Sequence, residues 1–375
     1  MVATAEGLHP TMLPPADPQG GRDELVDLLR SLATTTVVLW HWAFTILVWK
    51  PDGPHADNPI GYVSGLWSLT WVLQVMPLFF VAGGYVHART WARDRVQPGA
   101  WKRFLGKRAA QLGLPALVLI AVVAGAGSLI AFLHEGPDPW VARGVLLVLS
   151  PLWFLVVYMA MVATVPIWDA LDRRWGELVP IGLVGLAMGI DLLRFRFGHP
   201  EAAWFNMVFV WGAAHQIGWS WERLRRAPKR FGHALMLIGF GALVGLTNMG
   251  LYPRSMVGTT STADRFSNMG PPTLPILALL VLQVGLVVAN RDRILAFADD
   301  PRAERYVRWL SRNAMPLFLW HTVGFALFYA AARMVFDIPE EPNVLWWVTR
   351  PLWIVGPALA TIPLIALTRG KRPPA

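Results

Sequence analysis

Arg30 and His41 sit inside one long apolar run, DELVDLLRSLATTTVVLWHWAFTILVW (residues 23–49), and are the side chains of this sequence best suited to chemistry. Eleven residues separate them. On an α-helix that spacing leaves a net rotation of about 20°, so both lie on one face, roughly 16 Å apart along the axis. Thr34, Val37 and Thr45 fall on or beside the same stripe. Arg and His are costly within a spanning helix and usually face the bundle interior or a water-filled cavity. Arg30 offers a permanent positive charge to an anion. His41 offers a base or nucleophile that works near neutral pH. Asp27 lies one turn before Arg30, where it can pair with the guanidinium. The plainer readings are that Arg30 snorkels to headgroups and that His41 makes a helix-packing hydrogen bond.

Other candidates are scattered. His321, in SRNAMPLFLWH (311–321), is a second acid/base or substrate contact, or a packing residue. Lys102, Arg103, Lys107 and Arg108 form a basic cluster that either receives an anion or marks a cytoplasmic loop. MPLFFVAGGY (76–85) has Pro77, Gly83 and Gly84, which allow a kink and close helix approach, or a lining role. His87 and His215 read as structural, and Trp153 and Phe154 as packing. No acidic residue falls at mid-depth, so no carboxylate is expected to orient His41. With no cysteine and no third histidine or carboxylate at ligand spacing, no metal site is expected.

These residues need membrane elements to position them. The 375 residues are 55% hydrophobic and 15% charged, with a mean hydropathy of +0.44. Soluble domains carry about 25% charged residues, so a single soluble domain, a disordered chain and a disulfide scaffold are all excluded. Apolar runs of spanning length recur at 25–49, 66–87, 109–133, 144–167, 178–195, 202–220, 232–250, 273–290, 314–334 and 346–367, which predicts an all-α polytopic membrane protein with about ten transmembrane helices. Most of the 33 Lys and Arg fall on the side shared by both termini, which predicts cytoplasmic N- and C-termini. The net charge of +9 is read as this topology signal rather than as nucleic-acid binding. The expected organisation is a Pro- and Gly-rich flexible tail over 1–22, a transmembrane unit over 23–367 and a short tail over 368–375. The longest outer connection, about 251–272, is predicted to be a loop.

In that frame the motifs resemble a known family. Asp27-x-x-Arg30-x-x-Ala33 followed by His41 is similar to the opening signature of the membrane acyltransferase 3 family. MPLFFVAGGY, FLGKRAAQLGLP (104–115), PLWFL (151–155) and SRNAMPLFLWH resemble later family segments in order, over about 23–367. There are departures: Gln111 stands where a second Arg is common, Ala82 where Ser is common, and Phe318 where Tyr is usual. The resemblance implies transfer of an acyl group, commonly acetyl, from cytoplasmic acyl-CoA to a hydroxyl of a carbohydrate or related acceptor, in the cell membrane. On that reading Arg30, Arg103, Lys107 and Arg108 receive the polyanionic donor, the pantetheine arm runs along the first helix, and His41 is base or acyl carrier. Arg265 and Asn268 are candidates to meet the acceptor. The competing reading is a transporter or flippase of a glycan or lipid intermediate. It gains support from broken, Pro- and Gly-rich helices and loses it for want of an inverted repeat or a mid-membrane carboxylate.

Overall fold

The computed structural model describes residues 23–134, 136, 138–259 and 267–368. The expected tail at 1–22, Arg265 and residues 369–375 lie outside them. The chain forms α1 (Glu24–Phe44), a hairpin of β1 (Ile46–Lys50) and β2 (Gly53–Asp57), then α2 (Leu69–Leu73), α3 (Met76–Asp94) and α4 (Ala100–Arg108). It continues through α5 (Leu114–Leu133), α6 (Pro139–Leu149), α7 (Leu152–Ala163), α8 (Val165–Trp175), α9 (Leu178–Arg196), α10 (Asn206–Trp219) and α11 (Trp221–Leu224). The last elements are α12 (Lys229–Asn248), α13 (Leu274–Ala298), α14 (Pro301–Arg333), α15 (Val344–Val348) and α16 (Leu352–Thr368). The protein is an all-α polytopic membrane protein. Among the described residues six helical stretches are long and apolar enough to cross a membrane, or seven if the pair α6 and α7, bent by 48°, is one span. The apolar α16, at 17 residues, is shorter than these.

Three segments depart from simple spanning helices, and each has a local cause. The first apolar run leaves helical geometry at Thr45, which is extended, and its last residues pair as β1 with β2. β-Branched and aromatic residues favour this strand. Gly53, at φ +118°, makes the turn, and a Cβ there would crowd Arg143 and Trp140. The hairpin docks on α6 through Trp140 Nε1 donating to the Pro51 carbonyl (3.0 Å) and the stacked rings of Trp49 and Trp140. The second run breaks at Gln74, between α2 and α3. The third enters through a π-helical turn over Ala109–Gly113, directly after Arg108.

Two cores meet around α1. The larger packs α3, α10 and α13, with Phe80 stacked on the fully buried Trp211 at 4.7 Å. The smaller joins Val38 and Trp42 of α1 to Leu317, Phe325 and Tyr329 of α14 and Trp353 of α16. The α3–α10 contact needs bare backbone: a Cβ on Gly84 would strike the His215 carbonyl, and one on Gly218 would strike the Val81 carbonyl. His87 and His215, expected as structural residues near helix ends, are buried in this contact and bond to each other, Nδ1 to Nε2, at 3.0 Å. Asp191, 2% exposed, accepts from Asn206 Nδ2 (2.9 Å), Tyr252 Oη (2.9 Å) and the Leu274 amide (3.0 Å), and so ties the end of α9 to the start of α13.

Gly84→Ala is expected to reduce stability by about 1–3 kcal/mol through overpacking. Thermal unfolding in detergent micelles should show a lower midpoint; an unchanged midpoint would contradict the close α3–α10 approach.

Candidate functional site

A cavity of about 430 Å³ runs alongside α1 and contains the residues that the sequence singles out there. Arg30, Thr34, Val37, Trp40 and His41 form one wall, as the eleven-residue spacing requires. Thr34 Oγ1 donates to the Arg30 carbonyl at 2.9 Å, so the stripe's threonine hydroxyl is absorbed by its own helix. Facing walls come from Phe79 of α3, Phe154 and Tyr158 of α7, and Met315 and Phe318 of α14. Phe154, expected in packing, does both: it lines the cavity and meets Phe79 edge-on at 5.0 Å. Trp153 also lines it.

The basic end holds two guanidinium groups, Arg30 and Arg108. Arg30 Nη1 lies 3.8 Å from Asp27 Oδ1, the pairing expected one turn apart, and its side chain stays 41% exposed. Arg108 Nη2 donates to Thr90 Oγ1 at 3.4 Å, and its guanidinium lies over the Phe104 ring. The π-helical turn that follows Arg108 carries Leu112 to the same wall; such turns are frequent at functional sites. The rest of the basic cluster does not join. Arg103 bonds to the Pro98 carbonyl and Gln97 Oε1, and Lys102 and Lys107 are exposed on α4. None of the three lines the cavity. Tyr158 does, and the missing side chain of Gly83 makes its room: a Cβ there would fall 2.7 Å from the Tyr158 ring.

The two histidines meet. His41 Nδ1 lies 2.9 Å from His321 Nε2, with the rings stacked at 5.0 Å. His321 is wholly buried, and its Nδ1 lies 2.6 Å from the Phe318 carbonyl. A carbonyl can only accept. It therefore fixes the proton of neutral His321 on Nδ1 and leaves Nε2 as an acceptor. His41 must then donate from Nδ1, and its own Nε2 keeps a free lone pair. The orienting group that the sequence lacked as a carboxylate is a second imidazole held by backbone. His321 was expected about two turns into a helix starting near 314; α14 starts at Pro301, which sets it well inside.

α1 and α14 are held in register around this pair. Trp42 Nε1 donates to the His321 carbonyl at 2.8 Å. Tyr306 Oη lies 2.5 Å from Thr35 Oγ1 and donates to the Ser31 carbonyl at 3.1 Å. Arg350, 8% exposed, secures the end of α1: Nη1 donates to the Ala43 carbonyl (3.1 Å) and Nε to the Trp346 carbonyl (2.7 Å), with the guanidinium 3.7 Å above the Trp346 ring. Asn268, expected to be available to an acceptor, is instead spent inside the loop. It is fully buried, donates to the Pro253 and Ser255 carbonyls and accepts from Thr273 Oγ1. Among the described residues no group of three or more His, Asp or Glu could hold a metal ion.

A family model described as an acyltransferase domain matches residues 23–369. The chain belongs to the acyltransferase 3 family. No curated protein and no solved structure matches it. The family match covers α1 through α16, so the cavity, the histidine pair and both guanidinium groups belong to the domain of a membrane O-acyltransferase.

In this acyltransferase Arg350→Lys keeps the charge but loses the planar fork that serves two carbonyls and stacks on Trp346. Stability is expected to fall by about 1–3 kcal/mol, the cost of buried groups left unpaired. Thermal unfolding reads this directly; no change would show that Arg350 does not secure α1.

Proposed function

We propose that this acyltransferase moves a short acyl group, acetyl being the expected one, from acyl-CoA to a hydroxyl of a carbohydrate acceptor. The donor headgroup sits at the Arg30 and Arg108 end, on the cytoplasmic side of the cell membrane. Its pantetheine arm follows the α1 wall toward His41. The observation that carries the proposal is the chain from the Phe318 carbonyl through His321 to His41, which leaves an unprotonated imidazole nitrogen on a residue of the cavity wall that also holds the guanidinium pair. Guanidinium groups suit phosphate oxygens, which they bind with charge-assisted and often bidentate hydrogen bonds.

The steps balance without a cofactor. His41 Nε2 takes the acceptor hydroxyl proton as the alkoxide oxygen attacks the thioester carbonyl. The tetrahedral intermediate then collapses, the carbon–sulfur bond breaks, and the imidazolium returns the proton to the departing thiolate. The new ester leaves on the acceptor, and free CoA leaves at the basic end. During the proton's stay on His41, His321 Nε2 accepts from the charged ring through Nδ1–H. This is the orienting and stabilising role that a carboxylate plays in Ser-His-Asp systems. The transporter reading draws on the span broken at Gln74 and the bend between α6 and α7, but no carboxylate for ion coupling lines the cavity among the described residues.

The test is acyl transfer from radiolabelled acetyl-CoA by the full chain in reconstituted liposomes. His41→Ala is expected to lower kcat by about 10³-fold, near the range for loss of a general base. His321→Gln retains an acceptor for His41 Nδ1 and should keep more activity than His321→Leu. Arg30→Ala and Arg108→Ala should act mainly on the KM for acetyl-CoA. Full activity of His41→Ala would overturn the mechanism.

A further inference from the structure

A second, smaller cavity of about 280 Å³ lies where α1 begins, between the first turn of α1, the turn after α11 and the last turns of α13. Five residues line it: Arg225, Arg226, Arg291, Leu25 and Leu295. Three guanidinium groups and two leucine side chains thus share one groove. It sits at the start of one spanning helix, α12, and the end of another, α13, and so at the membrane surface. The bias of Lys and Arg toward one side of the membrane accounts for arginines here. It does not account for their gathering from two elements into one groove with an apolar lining.

The groove is built. Arg291 Nη1 donates to the Arg225 carbonyl and to the Ala227 carbonyl (2.8 Å), which holds the turn after α11 against α13. Glu222 Oε2 accepts from Arg225 Nε (2.7 Å) and lies 3.7 Å from Arg226 Nη2, while Oε1 accepts from Tyr85 Oη of α3 (3.0 Å). Asp23, the N-cap of α1, lies 3.6 Å from Arg225 Nη1. Asp292 Oδ1 accepts from Arg291 Nε (3.3 Å), and Oδ2 pairs with Lys229 Nζ (2.8 Å). These three carboxylates steady the guanidinium groups, and none of them lines the groove. A guanidinium has five N–H donors. Among the described residues Nη2 of Arg225, Nη2 of Arg291, and Nε and Nη1 of Arg226 have no protein acceptor.

We infer that this groove binds the phosphate of an anionic phospholipid from the adjoining leaflet, at the root of α1. Guanidinium groups take phosphate oxygens with charge-assisted, often bidentate hydrogen bonds. Basic pockets between transmembrane helices receive lipid headgroups. Leu25 and Leu295 offer apolar surface to the glycerol carbons and the first methylenes of the chains, which a free phosphate lacks. The volume suits a headgroup and falls below the roughly 300–1,000 Å³ of pockets for larger ligands, which sets the groove apart from a site for whole CoA. A zwitterionic headgroup brings a cation that the three arginines repel. Leu25 is in the first turn of α1 and Arg225 pairs with its N-cap, so bound lipid steadies the helix that carries Arg30 and His41. The inference does not rest on the acyl-transfer reading.

Native mass spectrometry of the full chain in detergent micelles, titrated with palmitoyl-oleoyl phosphatidylglycerol, reads the first bound lipid without any turnover. Phosphatidylglycerol is expected to bind at least tenfold more tightly than palmitoyl-oleoyl phosphatidylcholine. Arg226→Gln and Arg291→Gln are each expected to weaken phosphatidylglycerol by about fivefold, the worth of one cation beside an anionic lipid surface. Arg226→Lys should keep more affinity than Arg226→Gln, and Arg305→Gln on α14 is the charge control and should leave it unchanged. Arg291→Gln also removes the anchor of the turn, so Arg226→Gln, which removes no hydrogen bond within the protein, decides the matter. Equal affinity for the two lipids overturns the inference, as does a loss in Arg226→Gln no larger than that in Arg305→Gln. Displacement of phosphatidylglycerol by millimolar glycerol 3-phosphate would give the groove to a soluble phosphate, and displacement by CoA would give it to the acyl donor; either result overturns the lipid assignment. Failure of acyl transfer with lipid binding intact would sink the proposed function alone.

Discussion

The hydrogen bond from His41 Nδ1 to His321 Nε2 is the interaction on which the site depends. A lone imidazole in an apolar bundle can hold its proton on either nitrogen, and only one tautomer offers a base. The choice is made three residues before His321, where the Phe318 carbonyl accepts from His321 Nδ1. A backbone acceptor cannot titrate, so the order of protons along the chain is set by the helix itself. This also explains how a base can be oriented with no carboxylate among the described residues of the cavity wall. A buried carboxylate would add a charge whose desolvation must be offset; a neutral imidazole adds none.

The rest of α1 and α14 serves that bond. Three contacts along their length, at Tyr306, Trp42 and the histidines themselves, allow little sliding between the helices. Arg350 ties the end of α1 to α15, two residues beyond His41. The same helix carries Arg30, so the distance between the guanidinium and the imidazole is that of a rigid element. A ligand anchored at Arg30 would therefore lie at a set distance from His41, which is how positioning contributes to rate. Where α1 stops, the strand pair takes over and leads to Asn58, so one stretch of chain supplies Arg30, His41 and Asn58 to the cavity lining.

Much of this is legible in the sequence, for reasons that differ by residue. The spacing of Arg30 and His41 fixes a shared face because helical geometry is local, and the cavity wall has both. The Asp27 pairing is local for the same reason. The apolar runs mark the helices, but not the break at Gln74 or the strand over Ile46–Lys50, because hydropathy is blind to where an apolar segment leaves helical geometry. The partner of His41 is 280 residues away, and no periodicity links the two. The basic cluster reads as one patch in sequence, yet only Arg108 reaches the cavity, because at about 100° per residue Lys102, Arg103 and Lys107 fall on other faces of the same helix. Asn268 is polar and in a loop, which suggested a free side chain; folding spent its amide on three neighbours. Tyr158 carries no motif at all and is placed by the absence of a side chain at Gly83.

The central claim is the proton order, and ring-nitrogen shifts measure it. In the full chain in liposomes with ¹⁵N-labelled histidine, assigned through His41→Ala and His321→Ala, the resting enzyme at neutral pH should show both rings neutral and both protonated on Nδ1, with Nε2 of His41 bare. Finding the proton of neutral His41 on Nε2, or no coupling of its Nδ1 proton to His321, would contradict the account.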